Sequence, residues 1–295
     1  MIHRNDLCWC QSGKKWKKCH FPETPPLTNG DPLRLKELYD KKYQILIKSK
    51  EQIDGIREAC RISSTILEAV AKSAVAGVTT KALDDMSTAL HREAKAIPAA
   101  LNYSYPPFPK GICTSLNEVI CHGIPDDTIL KDGDILNIDI ASIYKGYYGD
   151  CSRMVVIGKT TPERQLVVDV AYECLMRAIA ILKPGVQVGD IGTVIENYAD
   201  ERGCSVVRQF VAHGVGVKFH ENPQVPHFRN SNLIRLVPGM TFTIEPMINA
   251  GAWEAVIDTR DKWTARTIDG KASAQWEHTI LITEDGHEVL TTWQR

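Results

Sequence analysis

Two stretches of this chain run an apolar strand pattern into an acid at the same offset from a glycine. In "DGDILNID" (132–139) Asp139 lies six residues after Gly133; in "PGMTFTIE" (238–245) Glu245 lies six after Gly239. Each is followed by a second apolar strand that opens on an acid, Asp150 in "DCSRMVVIG" and Glu277 in "EHTILITED". Ionised carboxylates are costly to bury without a partner, so a fold that buries these strands must bring them something positive. Strand alternation places Asn137 and Asp139 on one face and Leu136, Ile138 and Ile140 on the other. The turn "YKGYYG" (144–149) sends the chain back, so Asp150 returns beside Asp139.

The helical segments are duplicated too. Residues 50–75 place Ile53, Ile56, Cys60, Leu67 and Val70 at helical spacing, and a second helix follows from Lys81 to about Lys95. Residues 163–183 repeat the long helix, and "PGVQVGDIG" (184–192) mirrors "AGVTTKALD" (76–84). Two helix–helix–hairpin halves imply an α+β chain with internal pseudosymmetry. If the halves face one another, four carboxylates converge and repel unless protonated or metal-bound, and metal is the economical solution. An imidazole is available in "VAHGVGVKFHENPQVPHF" (211–228), which carries His213, His220 and His227. His213 sits among glycines that let the backbone approach a site closely, and His122 in "ICHGIP" has the same setting. Carboxylates with one imidazole suit Mn, Fe, Co or Zn, and two ions could share bridging carboxylates. A Cys121–His122 nucleophile is poorly arranged, because neighbours on a strand point to opposite faces.

Composition narrows the function classes. Of 295 residues, 43% are apolar and 24% charged, as in an ordinary soluble globular protein. A net charge of −1 exerts no overall pull on nucleic acid or anionic membrane, so neither a sequence-specific nucleic acid nor a membrane is expected as partner. No apolar run approaches the ~20 residues of a membrane helix, and "MIHRNDLCWC" has no apolar signal core. A cytoplasmic location is therefore expected. Cys60, Cys113, Cys121, Cys151, Cys174 and Cys204 are scattered, which reads as reduced packing thiols.

The first residues form a separate unit. Cys8, Cys10, Cys19 and His20 are four metal-compatible side chains in 13 residues, a set suited to a tetrahedral structural zinc. So short a segment has no core of its own, so metal would supply its folding free energy. The pattern resembles the SEC-C module. Residues 1–20 are locally +4 with Trp9 and Trp16 interleaved. That suits docking on an acidic or RNA-rich surface such as the ribosome, or simply a solvated basic face. "FPETPPLTNGDP" (21–32) reads as a linker. The expected organisation is a zinc-binding motif over 1–20, a linker and lead-in over 21–47, and a catalytic domain over 48–295.

From about residue 48 onward, "NEVICHGIP", "LNIDIASIYKGYYGD", "AHGVGVKFHENPQV", "TFTIEPM" and "AQWEHTILIT" together resemble the type I methionine aminopeptidases. The resemblance implies the pita-bread (creatinase/aminopeptidase) fold, with two pseudosymmetric halves around an antiparallel sheet. It implies metal ligands at Asp139, Asp150, His213, Glu245 and Glu277, with Asp150 and Glu277 bridging two divalent ions. It implies removal of the initiator methionine from nascent proteins whose second residue is small, by a bridging water or hydroxide that attacks the scissile carbonyl. His220 would stabilise the oxyanion, His122 would hydrogen-bond the substrate backbone, and Glu245 would shuttle a proton. The methionine pocket would be Tyr105, Phe108, Cys113, Phe219 and Trp263. Here the chain departs from the family: Pro106–Pro107 stands where many members have His-Gly, and Trp276 stands where Tyr is frequent. Asn117, Val119 and Ser273 match positions that hold a monovalent cation, and a monomer is expected. A proline-specific relative of the same fold usually carries a further N-terminal domain. A metal-free binding relative would lack one or more ligands. Because the chain opens Met1–Ile2, it is not expected to process itself.

Overall fold

In the computed structural model, residues 4–7, 13–19 and 32–293 are described. Helix α1 (Pro32–Tyr43) leads into α2 (Lys50–Ser73) and α3 (Thr80–Glu93). Strands β1 (Ile97–Pro98), β2 (Cys113–Leu116), β3 (Val119–Cys121), β4 (Ile135–Tyr144) and β5 (Tyr147–Val156) complete the first half. The second half begins with α4 (Pro162–Ala180) and α5 (Val188–Glu201). It continues through β6 (Ser205–Val206), β7 (Ala212–Gly214), β8 (Glu221–Val225), β9 (Thr241–Ile244) and β10 (Met247–Asn249). Strands β11 (Ala255–Ile257), β12 (Ala265–Thr267), β13 (Ser273–Gln275), β14 (His278–Ile282) and β15 (His287–Val289) close it.

Local chemistry explains the helix starts. Ser49 accepts from Gln52 N while the Gln52 side chain accepts from Ser49 N, a reciprocal cap for α2. The Thr79 and Thr161 side chains cap α3 and α4 with a single bond each, accepting from Ala82 N and Arg164 N, and Pro162 fits the first turn of α4. The β4–β5 hairpin turns on Lys145 and Gly146, both at positive φ, as a two-residue turn between twisted strands requires. The lead-in holds a helix that the linker reading lacked: Tyr39 of α1 is buried, with Leu35 and Tyr43 packed on the same core.

Each half has its own core. Leu67, Val70, Leu83, Ile138 and Ile140 join α2, α3 and β4; Val167, Leu175, Ile191, Ile195, Phe242, Ile244 and Ile280 join α4, α5, β9 and β14. Fully burying a side chain of this size contributes about 1.5–3 kcal/mol, so each helix pair is held mainly by its inner face. One antiparallel sheet carries β1, β4 and β2 with β5 on β4; another runs β15–β14–β9–β7–β8. They meet where Glu277 bridges to Ser152 of β5. The two expected hairpins therefore differ. The first is a tight return, whereas β10 to β13 intervene between β9 and β14.

The structure positions Asp150 by close packing. Gly149 lies against α2 so tightly that a Cβ there would stand 2.3 Å from Cys60 N. Ser63 Oγ donates to Gly149 O (2.9 Å), fixing the helix on the strand beside Asp150.

Candidate metal centre

On β4, Asp139 lies opposite Ser152 and Ala141 lies opposite Asp150. The diagonal puts both acids on one face, as alternation along the strands requires. Asn137 confirms the face: its Nδ2 donates to Ser152 Oγ (3.1 Å) and to Gln275 O (2.8 Å). Glu277 arrives from the second half at the β5 bridge, and carboxylate oxygens of Asp139, Asp150 and Glu277 lie within 4.8 Å of one another. Glu245 follows β9 directly. Its Oε1 accepts from Thr243 Oγ1 (2.7 Å) and its Oε2 from Gln275 Nε2 (2.9 Å).

His213 links the groups. Its Nδ1 is 3.0 Å from Gly214 O, and a carbonyl can only accept, so Nδ1 carries the proton. Nε2 is thus a bare lone pair, 3.6 Å from Glu245 Oε1 and 3.9 Å from Asp150 Oδ2. A bulge between His213 and Gly214 aims the ring here. Gly214 permits this, since a Cβ there would meet Asn222 O at 2.3 Å.

Electrostatically, the cluster demands a cation. Burial pushes Asp139 up to about 7 and Glu245 up to about 8. Burial, and then the neighbouring acids, push Asp150 and Glu277 well above the usual carboxylate range. Burial holds His213 down at about 4, so the imidazole is neutral and adds no compensating charge. Among the described residues, no Lys or Arg ion-pairs with any of the four acids. The buried oxygens Asn137 Oδ1 and Gln275 Oε1 also lack a donor. Four carboxylates and one neutral imidazole, buried without a protein cation, fit divalent first-row metal ions.

Two aromatic walls adjoin the cluster. Phe108 meets Trp263 edge-on (5.3 Å), and His122 meets Trp263 (5.8 Å) and Phe210 (5.4 Å). Cys113 lies opposite Asp139 on β2. On the other wall, Phe219 lies 4.4 Å from His220, which is 4.0 Å from His213, centroid to centroid. Tyr105 is not brought to either wall, since its side chain is 93% exposed. Tyr103 stands there instead, stacking on His220 (4.9 Å) and edge-on to Phe219 (4.9 Å). Trp263 Nε1 donates to Pro106 O (3.1 Å), so the Pro106–Pro107 loop is tied to the wall.

Sequence reasoning missed Tyr103, Tyr148, Phe210, Thr243 and Gln275. Thr243 and Gln275 each precede an acid by two residues, so the strand period was a signal that could have found them. Tyr148, stacked on Phe219 (5.9 Å), carries the same mark, two residues before Asp150 on β5. His227 is buried with Nε2 3.5 Å from Glu245 N, behind the acids. Burial holds His122 at about 4; partial desolvation, then His213 and His122, lower His220. Burial and nearby Glu245 push the Cys121 thiol well up, which removes it as a nucleophile. Asn117 and Ser273 meet, with Ser273 N donating to Asn117 O (2.9 Å), and Val119 opens β3 beside them. A polar cavity of about 420 Å³ opens by His213 and His220, lined also by Lys218, Glu221, Asn222 and Gln224. The proposed zinc set lies mostly outside the described residues: of Cys8, Cys10, Cys19 and His20, only Cys19 falls within them.

Comparison with known proteins places this geometry. Residues 54–284 match the model of metallopeptidase family M24, and residues 4–22 match the SEC-C motif. Methionine aminopeptidases of Chlamydia muridarum and Chlamydia pneumoniae are 58% and 56% identical over 290 residues, 98% of this chain and 99% of theirs. The crystal structure of methionine aminopeptidase from Rickettsia prowazekii superposes with a TM-score of 0.81 at 41% identity, covering 84% of this chain and 100% of that one. The prolidase from Pyrococcus furiosus shares the fold alone, at 23% identity and a TM-score of 0.69. The pita-bread fold and its buried carboxylate cluster define a metallopeptidase of the M24 class. Within that class, the chain belongs to the methionine aminopeptidase family and carries an N-terminal SEC-C motif.

Proposed function

We propose that this enzyme removes the initiator methionine from nascent proteins whose second residue is small. The observation that carries the proposal is the convergence of Asp139, Asp150 and Glu277 within 4.8 Å, with His213 and Glu245 closing the group. Those five side chains would hold two divalent ions. When bound, the ions supply a water that ionises near neutral pH and a Lewis acid for the scissile carbonyl.

The remaining roles belong to the chain. Neutral His220 donates an N–H to the carbonyl oxygen as negative charge develops there. His122, poised against Trp263 and Phe210, orients the peptide nitrogen beyond the methionine. Glu245 carries a proton toward the leaving amine, its oxygens aimed by Thr243 and Gln275. Phe108, Trp263, Phe219, Tyr103 and Cys113 supply an apolar, sulfur-tolerant surface for the methionine side chain.

The finer organisation is part of the same proposal. The catalytic domain spans 48–295 after a lead-in over 21–47. A structural zinc on Cys8, Cys10, Cys19 and His20 folds residues 1–20, which dock on the ribosome. The enzyme works as a cytoplasmic monomer.

Release of methionine from Met-Ala-Ser and Met-Leu-Ser tests the reading, using chelator-stripped protein with Mn, Co, Fe or Zn restored. The expected result is release from the first peptide only, and only with metal. Release without metal, or from neither peptide by folded protein, would overturn it.

A further inference from the structure

The catalytic roles leave unused an aromatic stack behind the acids. Trp293 lies flat on His278, with centroids 4.2 Å apart and planes 15° apart, and 5.0 Å from Trp276. Trp276 Nε1 in turn donates to Val168 O of α4 (3.0 Å). Trp293 packs against both hydrophobic cores, so it wedges the two halves at their seam. Its indole Nε1 donates to the carbonyl oxygen of Glu277 (3.1 Å).

That carbonyl sits where the sheet gives least support. The β9–β14 ladder ends at His278 opposite Ile244, one residue short of Glu277. The Glu277 N–H crosses to the first half and donates to Ser152 O (3.1 Å). One backbone group of Glu277 is thus held by β5 and the other by the tail. Residues 290–293 are themselves tied down on both sides. Leu290 N donates to Thr279 O (2.9 Å), and Thr291 Oγ1 accepts from Thr279 N (3.0 Å). Thr292 N donates to Ser64 Oγ of α2 (3.0 Å).

We propose that residues 290–293 form a clasp that sets the peptide plane of Glu277, with Trp293 as a positioning residue for metal retention. This rests on the assignment of Glu277 as a bridging ligand. A buried carbonyl left without a donor turns to find one, and turning that peptide swings the carboxylate away from Asp139 and Asp150. Trp293 touches no reacting atom and acts only through Glu277.

Isothermal titration of Mn²⁺ into metal-free protein reads the effect directly. Trp293→Phe keeps an aromatic ring in the stack but removes the N–H together with part of the indole. It is expected to weaken Mn²⁺ binding about 10-fold or more, in the range lost when groups supporting metal ligands are removed. Trp293→Ala should weaken it further, with circular dichroism confirming a folded chain; if that variant does not fold, Trp293→Phe still decides. A Phe variant that binds Mn²⁺ like the wild type, even with a lowered melting temperature, shows packing alone and overturns the clasp. Glu277→Gln serves as reference. If it too binds like the wild type, the metal assignment itself has failed; if it alone loses binding, only the clasp has.

Discussion

At the scale of single residues, the site depends on a few side chains with separate tasks. In the proposed mechanism His220 donates to a developing oxyanion, and removing one such donor typically costs about 10²–10³ in kcat. His220→Ala is therefore expected to lower kcat by that order with little change in KM, measured on a Met-Ala peptide. His213 offers Nε2 between Asp150 and Glu245. His213→Ala should lose metal affinity as well as activity, which equilibrium dialysis against Mn²⁺ reads out. Gly149 acts through space rather than chemistry. An added methyl would strike the backbone of α2, and overpacking of this kind costs about 1–3 kcal/mol or more. Gly149→Ala should shift the urea midpoint downward in proportion.

At the scale of elements, α3 is locked to β4 through one buried imidazole. His91 Nδ1 donates to Ser87 O (2.8 Å), and Nε2 meets Ser142 Oγ (2.9 Å). Burial lowers the His91 pKa below its ordinary 6.5, so the folded state binds fewer protons than the unfolded chain. The stability from neutral His91 is full above that value and is lost as the pH falls below it. Between about pH 7.5 and 5.5, the melting temperature of His91→Asn should fall less steeply than that of the wild type. The long elements were legible because their periods are local. Capping at Ser49, Thr79 and Thr161 and the positive-φ turn at Lys145–Gly146 are written in a few neighbouring residues. Helix α1 was hidden in a polar lead-in, because its anchoring contacts lie on a distant core.

At the scale of the whole molecule, the two halves meet at four buried acids, and their mutual repulsion opposes the closed fold. Metal bound only by the folded state stabilises it, by about 2.7 kcal/mol at 100 times Kd. Stripping the metal with a chelator should lower the melting temperature by several degrees, and Mn²⁺ should restore it. Differential scanning calorimetry with and without chelator makes that measurement.

The sequence by itself determined which acids come together with His213, and in what order they arrive. Each lies in a short strand or glycine-rich block whose alternation is a property of the local backbone. It also determined that the chain is built twice, since the repeat is visible without any contact. Only the tertiary structure decided which atoms meet. Tyr103 rather than Tyr105 stacks on His220, Thr243 and Gln275 aim Glu245, and Trp293 holds Glu277 from behind. These contacts join residues far apart in the chain, and their geometry follows from how two separate cores pack across the seam.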